Sequence, residues 1–402
     1  MRVNVAAGAV AVALFVVCTA RIDPGPAVGP TPPEDSVSTA ALLADVAQLD
    51  SFMVTRFLPS DMASHADATV AAQFIADTLM LHLKSSDRIG MSTARRDVAA
   101  LLAQWCDDRT AISTSLFDSL AERMPGHYFG DIDQQHVLRG RTMRHPTRLP
   151  SRWLADSIAY LRADDLLFSE GGAAIVRRWF TAFVGARGLV VDLRGVAWAS
   201  HADLAWILPP WLMAPGSAPR VLGTAIVRLG PGMDSAQAVT RLRPWHYVLS
   251  TDSTLTAADR VAIARVEPFS GSALLPRFYL LARPNASGHA LGGRPVVVLI
   301  DARCANACEA VAAALAALPN VTLLGQRTSG GAGITARLTL RHTGLAVDAT
   351  IGRFLTATAL PVDHTGVAPT IEMAGPDSVH AGTPDDRDPV LDHAIDRLKR
   401  RP

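Results

Sequence analysis

The sequence predicts an α/β protein: a core sheet buried on both faces with largely parallel pairing, preceded by a small helical domain. Three observations carry this. The runs Leu189–Val191 and Val296–Ile300 hold apolar residues side by side without polar alternation, the mark of strands covered on both sides, and Val321–Leu324 follows as a third strand. Helical stretches at Ala173–Phe183 and Glu309–Leu318 alternate with those runs along the chain. Before residue 130, in contrast, apolar residues recur with a helical period.

Composition sets the class. The chain has 402 residues, enough for two or three domains at about 150 residues each. Hydrophobic residues make up 49% and charged residues 19%, which excludes a disordered chain. Lys and Arg number 38 against 37 Asp and Glu, so the net charge of +1 argues against a nucleic-acid partner.

The chain starts with Met1-Arg2 and then an apolar run, Val3–Val17, broken only by Asn4. Cys18-Thr19-Ala20 offers a small-residue cleavage site before Arg21, so residues 1–20 read as a secretory signal peptide and the protein as secreted or periplasmic. An uncleaved anchor is an alternative, and so is a lipid-modified Cys18, although Val17 is bulky for a lipoprotein signal. A membrane would then be met only through this N-terminal segment. Residues 21–36 are rich in Pro and Gly and form a linker.

Residues 37–150 form the helical domain. Val70–Leu83 is amphipathic, and Val98, Leu101, Leu102 and Trp105 share a helix face after the cap candidates Ser92-Thr93. The core spans 151–376. It holds a strand at Ile158–Arg162, a helix at Ala173–Phe183, the strand ending in Arg194-Gly195, and the strand–helix–strand of 296–324. A β-hairpin follows within 335–358, turning at Thr343-Gly344, and residues 377–402 are a tail with a short helix. The stretch 214–290, punctuated by Pro and Gly, yields no order of elements.

Removal of residues 1–20 leaves Cys106, Cys304 and Cys308, an odd number in an oxidising compartment. Cys304 and Cys308 are four apart, close enough for a local disulfide if the backbone turns there, and otherwise small buried residues. No CxxC, HExxH or zinc-spaced His/Cys cluster is present, so no metal and no cofactor is expected.

Three segments fall in a telling order. They are Val190-Val191-Asp192-Leu193-Arg194-Gly195; Val297–Asp301 followed by Cys304-Ala305-Asn306-Ala307-Cys308-Glu309; and Leu324-Gly325-Gln326-Arg327-Thr328-Ser329-Gly330-Gly331 with a later Gly366-Val367-Ala368-Pro369. This order resembles the tail-specific (C-terminal-processing) serine proteases, with the tricorn core and interphotoreceptor retinoid-binding protein as relatives. The resemblance covers about residues 155–375 and implies a ClpP/crotonase-like core of stacked ββα units. No PDZ insertion is recognisable.

The resemblance also implies where catalysis would sit. The family's loop reads small-Ala-Ser-Ala-x-Glu with Ser as nucleophile, which places Asn306 at the nucleophile position. An amide is not an acyl-transfer nucleophile. The lysine that ends the family's Thr-Phe-Gly-Lys motif falls on Gly331, and the chain's only lysines, Lys84 and Lys399, lie outside the core. Tricorn-like members use a His within Asp-Gly-His-Thr; Asp107-Asp108-Arg109-Thr110 puts Arg109 there, and arginine stays protonated. The acid ahead of Gly-Val-x-Pro corresponds to Asp363. The backbone that would hold a substrate maps to Gly195, Ala197, Ala307, Gly330 and Gly331, and Val196–Ala199 replaces the family's Asn and Gly pair after Gly195.

Plainer readings stand beside these. Asn306 suits the N-cap of the following helix. Ser200 suits the cap of a helix over Ala202–Leu208, with His201 as a substitute base only if the pair is catalytic. Arg109 fits a solvated or ion-paired side chain, and Gly330–Gly333 lacks the lysine of a phosphate loop. The functional expectation is a serine-peptidase-family protein with impaired or lost proteolysis that binds an extended peptide or a protein C-terminus. Two alternatives remain. One is an active hydrolase with an unconventional site near Asn306, drawing on His201 or Cys304. The other is an apolar-ligand binding protein, by analogy with the retinoid-binding relative.

Overall fold

The computed structural model describes residues 36–56, 77, 87–103, 111–112, 152–154, 157–162, 172–195, 204–228, 247–266, 275, 277–285, 291–373 and 388–400. The signal segment, the linker and the helix expected at Val70–Leu83, apart from Asp77, lie outside them. In chain order the elements are β1 (Ser36–Ser38), α1 (Thr39–Arg56), β2 (Arg88–Gly90), α2 (Met91–Ala103), β3 (Ala111–Ile112), β4 (Arg152–Trp153), β5 (Ile158–Arg162), α3 (Gly172–Ala182) and β6 (Gly188–Asp192). There follow β7 (Arg220–Val227), β8 (Tyr247–Val248), α4 (Ala257–Ala264), β9 (Arg277–Ala282), β10 (Val296–Ile300), α5 (Ala307–Ala316), β11 (Val321–Gly325), β12 (Gly333–Thr339), β13 (Ala346–Thr356), β14 (Ile371–Glu372) and α6 (Pro389–Arg400). Single-turn helices at Leu204–Ile207 and Pro209–Leu212 stand between β6 and β7. Among the described residues no helix is long and apolar enough to cross a membrane.

The chain folds into two compact units, Met1–Asp118 with Thr335–Thr350, and Ser119–Ile334 with Ile351–Pro402. In the first, α1 buries Leu42, Val46, Leu49 and Met53 along one face, and α2 buries Val98, Leu101 and Leu102. Short strands join these helices: β1 pairs antiparallel with β2, and β3 with the first half of β13. At two or three residues each, they are too short to leave an alternating pattern in the sequence. The fully buried Asp45 of α1 accepts hydrogen bonds from the His342 and Thr343 N–H groups at 2.9 and 2.7 Å. Its carboxyl thus satisfies the turn between β12 and β13, where Gly344 adopts a φ of 68°.

The second unit is built on a six-stranded sheet in the order β14-β11-β10-β6-β5-β4, parallel throughout except for the edge strand β4. Its central strands β6 and β10 carry runs of adjacent apolar residues because both faces are covered. Along β10, Val296, Val298 and Ile300 pack into one cluster with Val311, Ala312 and Leu315 of α5. Val297 and Leu299 point the other way, into a cluster with Val190, Leu324 and the α6 residues Val390, Ala394 and Leu398. A second sheet of this unit is antiparallel, with β7 between β9 and the latter half of β13, and β8 against β9. The protein thus carries an antiparallel sheet in addition to the largely parallel one that the sequence predicts. Much of this antiparallel part lies in 214–290, where the strands are short or bulged, with Pro and Gly between them, and carry no long period. At that bulge Gly223 is required, since a Cβ there would fall 2.4 Å from the Phe354 ring.

Helix α4 opens on a capping box between Thr256 and Asp259, and Asp259 also takes a two-pronged contact from Arg283. Burial alone would raise the Asp259 pKa, but the Arg283 and Thr256 hydrogen bonds outweigh it and hold the carboxyl below its ordinary range.

Candidate active site

Because β6, β10 and β11 run parallel, the segments leaving their C-terminal ends gather at one edge of the sheet, the usual place for a site in such sheets. Backbone pairing continues past the strands: Leu193 N–H donates to Leu299 and Gln326 N–H to Ile300. Asp301, just beyond β10, then ties two loops together. Its Oδ1 accepts from the N–H groups of Gly195, Arg303 and Cys304 at 2.9, 3.1 and 3.1 Å, and its Oδ2 accepts from the Arg303 guanidinium. The Gly195 N–H, a candidate for substrate contact, is thus engaged within the protein.

The turn from β10 into α5 is sharp. Asn306 holds φ 59° and ψ −121°, a backbone state that costs a side-chain-bearing residue about 1–3 kcal/mol. Two devices hold it. A disulfide joins Cys304 to Cys308, with a Cα–Cα distance of 5.5 Å, so that it straddles Asn306. Both cysteines are fully buried and bonded, and Cys304 therefore offers no thiolate for an unconventional hydrolase.

The second device is Glu309, fully buried in the first turn of α5. Its Oε2 accepts from the Asn306 N–H at 3.2 Å. Its Oε1 accepts from the Thr328 hydroxyl at 2.5 Å and from the Gly330 N–H at 2.6 Å. This carboxyl clamps the elbow to the loop after β11. It also explains why α5 starts at Ala307, two residues before the expected Glu309: the Asn306 carbonyl already accepts from the Glu309 and Ala310 N–H groups. Asn306 thus occupies the N-cap position, although its backbone is not the extended form of an ordinary cap.

The Glu309 clamp leads onward to the loop holding Asp363. Thr328 exchanges hydrogen bonds with Val367, through its N–H to the Val367 carbonyl and its hydroxyl from the Val367 N–H, while His364 N–H donates to the Gly330 carbonyl at 2.6 Å. The fit is close: a Cβ on Gly366, whose φ is 65°, would lie 2.2 Å from the Thr328 carbonyl oxygen. Asp363 sits in this segment, buried. Asn306, Ala307, Gly330, Gly331 and Asp363 therefore belong to one set of linked loops in the second unit, with Gly195 joined through Asp301. Ala197, Arg109 and His201 lie outside the described residues.

Beneath these loops the Asp192-Leu193-Arg194 motif forms a buried charge network. The Arg194 guanidinium forks between Asp192 at 2.7 Å and Asp388 at 2.6 Å, and the Tyr160 hydroxyl donates to Asp192 at 2.8 Å. Burial and the neighbouring Asp192 push the Tyr160 phenol well above its ordinary value. Burial pulls Asp388 upward, but the Arg194 hydrogen bonds prevail and hold its carboxyl low. Asp388 also accepts from the Leu391 N–H, so the network pins the start of α6 to the end of β6.

Chemically, the Asn306 side chain at the elbow is a neutral amide, which is not an acyl-transfer nucleophile. Sequence reasoning did not find the joining roles of Glu309, Thr328 and Asp301. The available signal was Asn306-Ala307-Cys308-Glu309, which has capping-box spacing with Glu at the third helical position.

Residues 247–373 match the model of peptidase family S41. No curated protein matches the sequence. Among solved structures, one from Parabacteroides merdae ATCC 43184, named as a peptidase candidate, is 18% identical, with 90% of this chain and 96% of that one covered and a TM-score of 0.53. Mature CPAF is 11% identical over 83% and 92% of the chains, with a TM-score of 0.51. The photosystem II D1 C-terminal processing protease is 14% identical over 84% and 93%, with a TM-score of 0.50. At these identities the likeness is one of fold, and it is the fold expected from the motif order. Residues 247–373 are thus similar to peptidase family S41, and the chain as a whole shares its fold with these structures.

Proposed function

We propose that this chain is a member of peptidase family S41, exported and disarmed at its nucleophile position, and that it binds an extended peptide or a protein C-terminus without cleaving it. The observation that carries this reading is Asn306. It takes the place the family gives to Ser, at a strand-to-helix elbow still clamped by Glu309, Thr328 and the disulfide. Substitutes are scarce: Cys304 is bonded, Gly331 stands at the lysine position, and Lys399 lies in the last turn of α6. Such a protein would bind the extended segment beside a sheet edge through main-chain hydrogen bonds. Export rests on residues 1–20; if the segment stays uncleaved, or Cys18 is lipidated, it tethers the protein to a membrane.

The test uses residues 21–402 and fluorescent peptides ending in a free carboxylate or in an amide. Saturable anisotropy changes with no product by mass spectrometry are expected. Cleavage by the wild type that is abolished in Asn306→Ala overturns the reading.

A further inference from the structure

The elbow has a consequence for Asn306 that needs no substrate. Tetrahedral geometry at Cα sets Cβ about 120° from the backbone nitrogen, so a ψ of −121° brings the next residue's nitrogen into eclipse with Cβ. That is the planar arrangement of a five-membered ring made of the Ala307 nitrogen and the carbonyl carbon, Cα, Cβ and Cγ of Asn306. An ordinary chain visits it rarely, and here the disulfide and Glu309 keep it in place. Ala307 is the first residue of α5, where the N–H has no acceptor within the helix. Asn306 is half-buried, so water reaches it.

We infer that Asn306 is a site of self-modification through a succinimide. The Ala307 nitrogen loses its proton to solvent and attacks Cγ; the new C–N bond forms, the Cγ–Nδ2 bond breaks, and ammonia leaves with a proton from water. Water then adds to the ring. Opening at Cγ gives aspartate, and opening at the Asn306 carbonyl carbon gives isoaspartate. The net change is one water consumed and one ammonia released, with no oxidant or cofactor. An uncharged amide at the elbow becomes a carboxylate.

The chain supplies its own control, since Asn285 is also followed by alanine, Ala286, and shares the same steric hindrance at the attacking nitrogen. Residues 21–402 are held folded in mildly alkaline buffer beside a urea-unfolded, reduced sample, and both are mapped by peptide mass spectrometry with isoaspartate detection. The expected result is conversion at Asn306 roughly 5- to 30-fold faster in the folded chain than at Asn285 or in the unfolded sample, the gain from fixing one residue's backbone. Isoaspartate accompanies aspartate, and Asn306→Gln, whose ring would be larger, loses the conversion. The inference is overturned if folded Asn306 stays intact while Asn285 converts. It is equally overturned if the unfolded chain is as fast, or if aspartate forms without isoaspartate.

Discussion

Replacing Glu309 with alanine removes one acceptor from three donors at once: the Asn306 N–H, the Thr328 hydroxyl and the Gly330 N–H. A buried donor left without a partner costs about 1–3 kcal/mol. The Asn306 and Gly330 N–H groups are only part-buried and recover some of this from water, which leaves about 3–5 kcal/mol in total. Glu309→Gln keeps one carbonyl oxygen but turns the other position into a donor facing donors, for about 1–3 kcal/mol. Urea unfolding of each variant, followed by tryptophan fluorescence, reads these losses as lowered midpoints. A double-mutant cycle with Thr328→Val isolates the clamp, with a coupling of about 1 kcal/mol or more expected. A Glu309→Ala variant within about 1 kcal/mol of wild type, or strict additivity in the cycle, would refute a clamp at the elbow.

Removing the disulfide with Cys304→Ser and Cys308→Ser closes no long loop, since the cysteines are four apart, and is expected to cost about 2 kcal/mol in urea unfolding. Gly366→Ala drives a Cβ against the Thr328 carbonyl in a left-handed backbone state; a loss above about 2 kcal/mol, or no folded protein, is expected by thermal unfolding. Asp388→Asn weakens the fork to Arg194 and is expected to cost about 2 kcal/mol at neutral pH. Because folding depresses the Asp388 pKa, its contribution is present above the unfolded carboxylate value and is lost as pH falls through the folded one. Urea midpoints of wild type and Asp388→Asn should therefore draw together as pH falls below about 4 and meet only below the folded carboxylate value.

The parallel sheet was legible because burial on both faces writes itself directly into β10 as uninterrupted apolar residues. The antiparallel sheet was not, since β7 is bulged at Gly223 and β8 has only two residues. The short strands β1 to β3 are missing from the sequence reading for the same reason of length. In the candidate site, motif order singled out Asn306, the Gly330-Gly331 loop and Asp363, but said nothing of what joins them. The joins are carboxyl-to-backbone contacts between residues far apart in the chain, such as Asp301 to Gly195 and Glu309 to Gly330. Glu309 read as a helix-dipole residue because a local pattern shows only local partners.

The most direct measurement is peptide hydrolysis by residues 21–402, run beside Asn306→Ser and Asn306→Ser/Arg109→His. A peptidase core disarmed at its nucleophile gives no turnover as wild type and gains turnover in the double variant. Turnover by wild type, unchanged by Asn306→Ala, would place the chemistry elsewhere and contradict the assignment of the elbow.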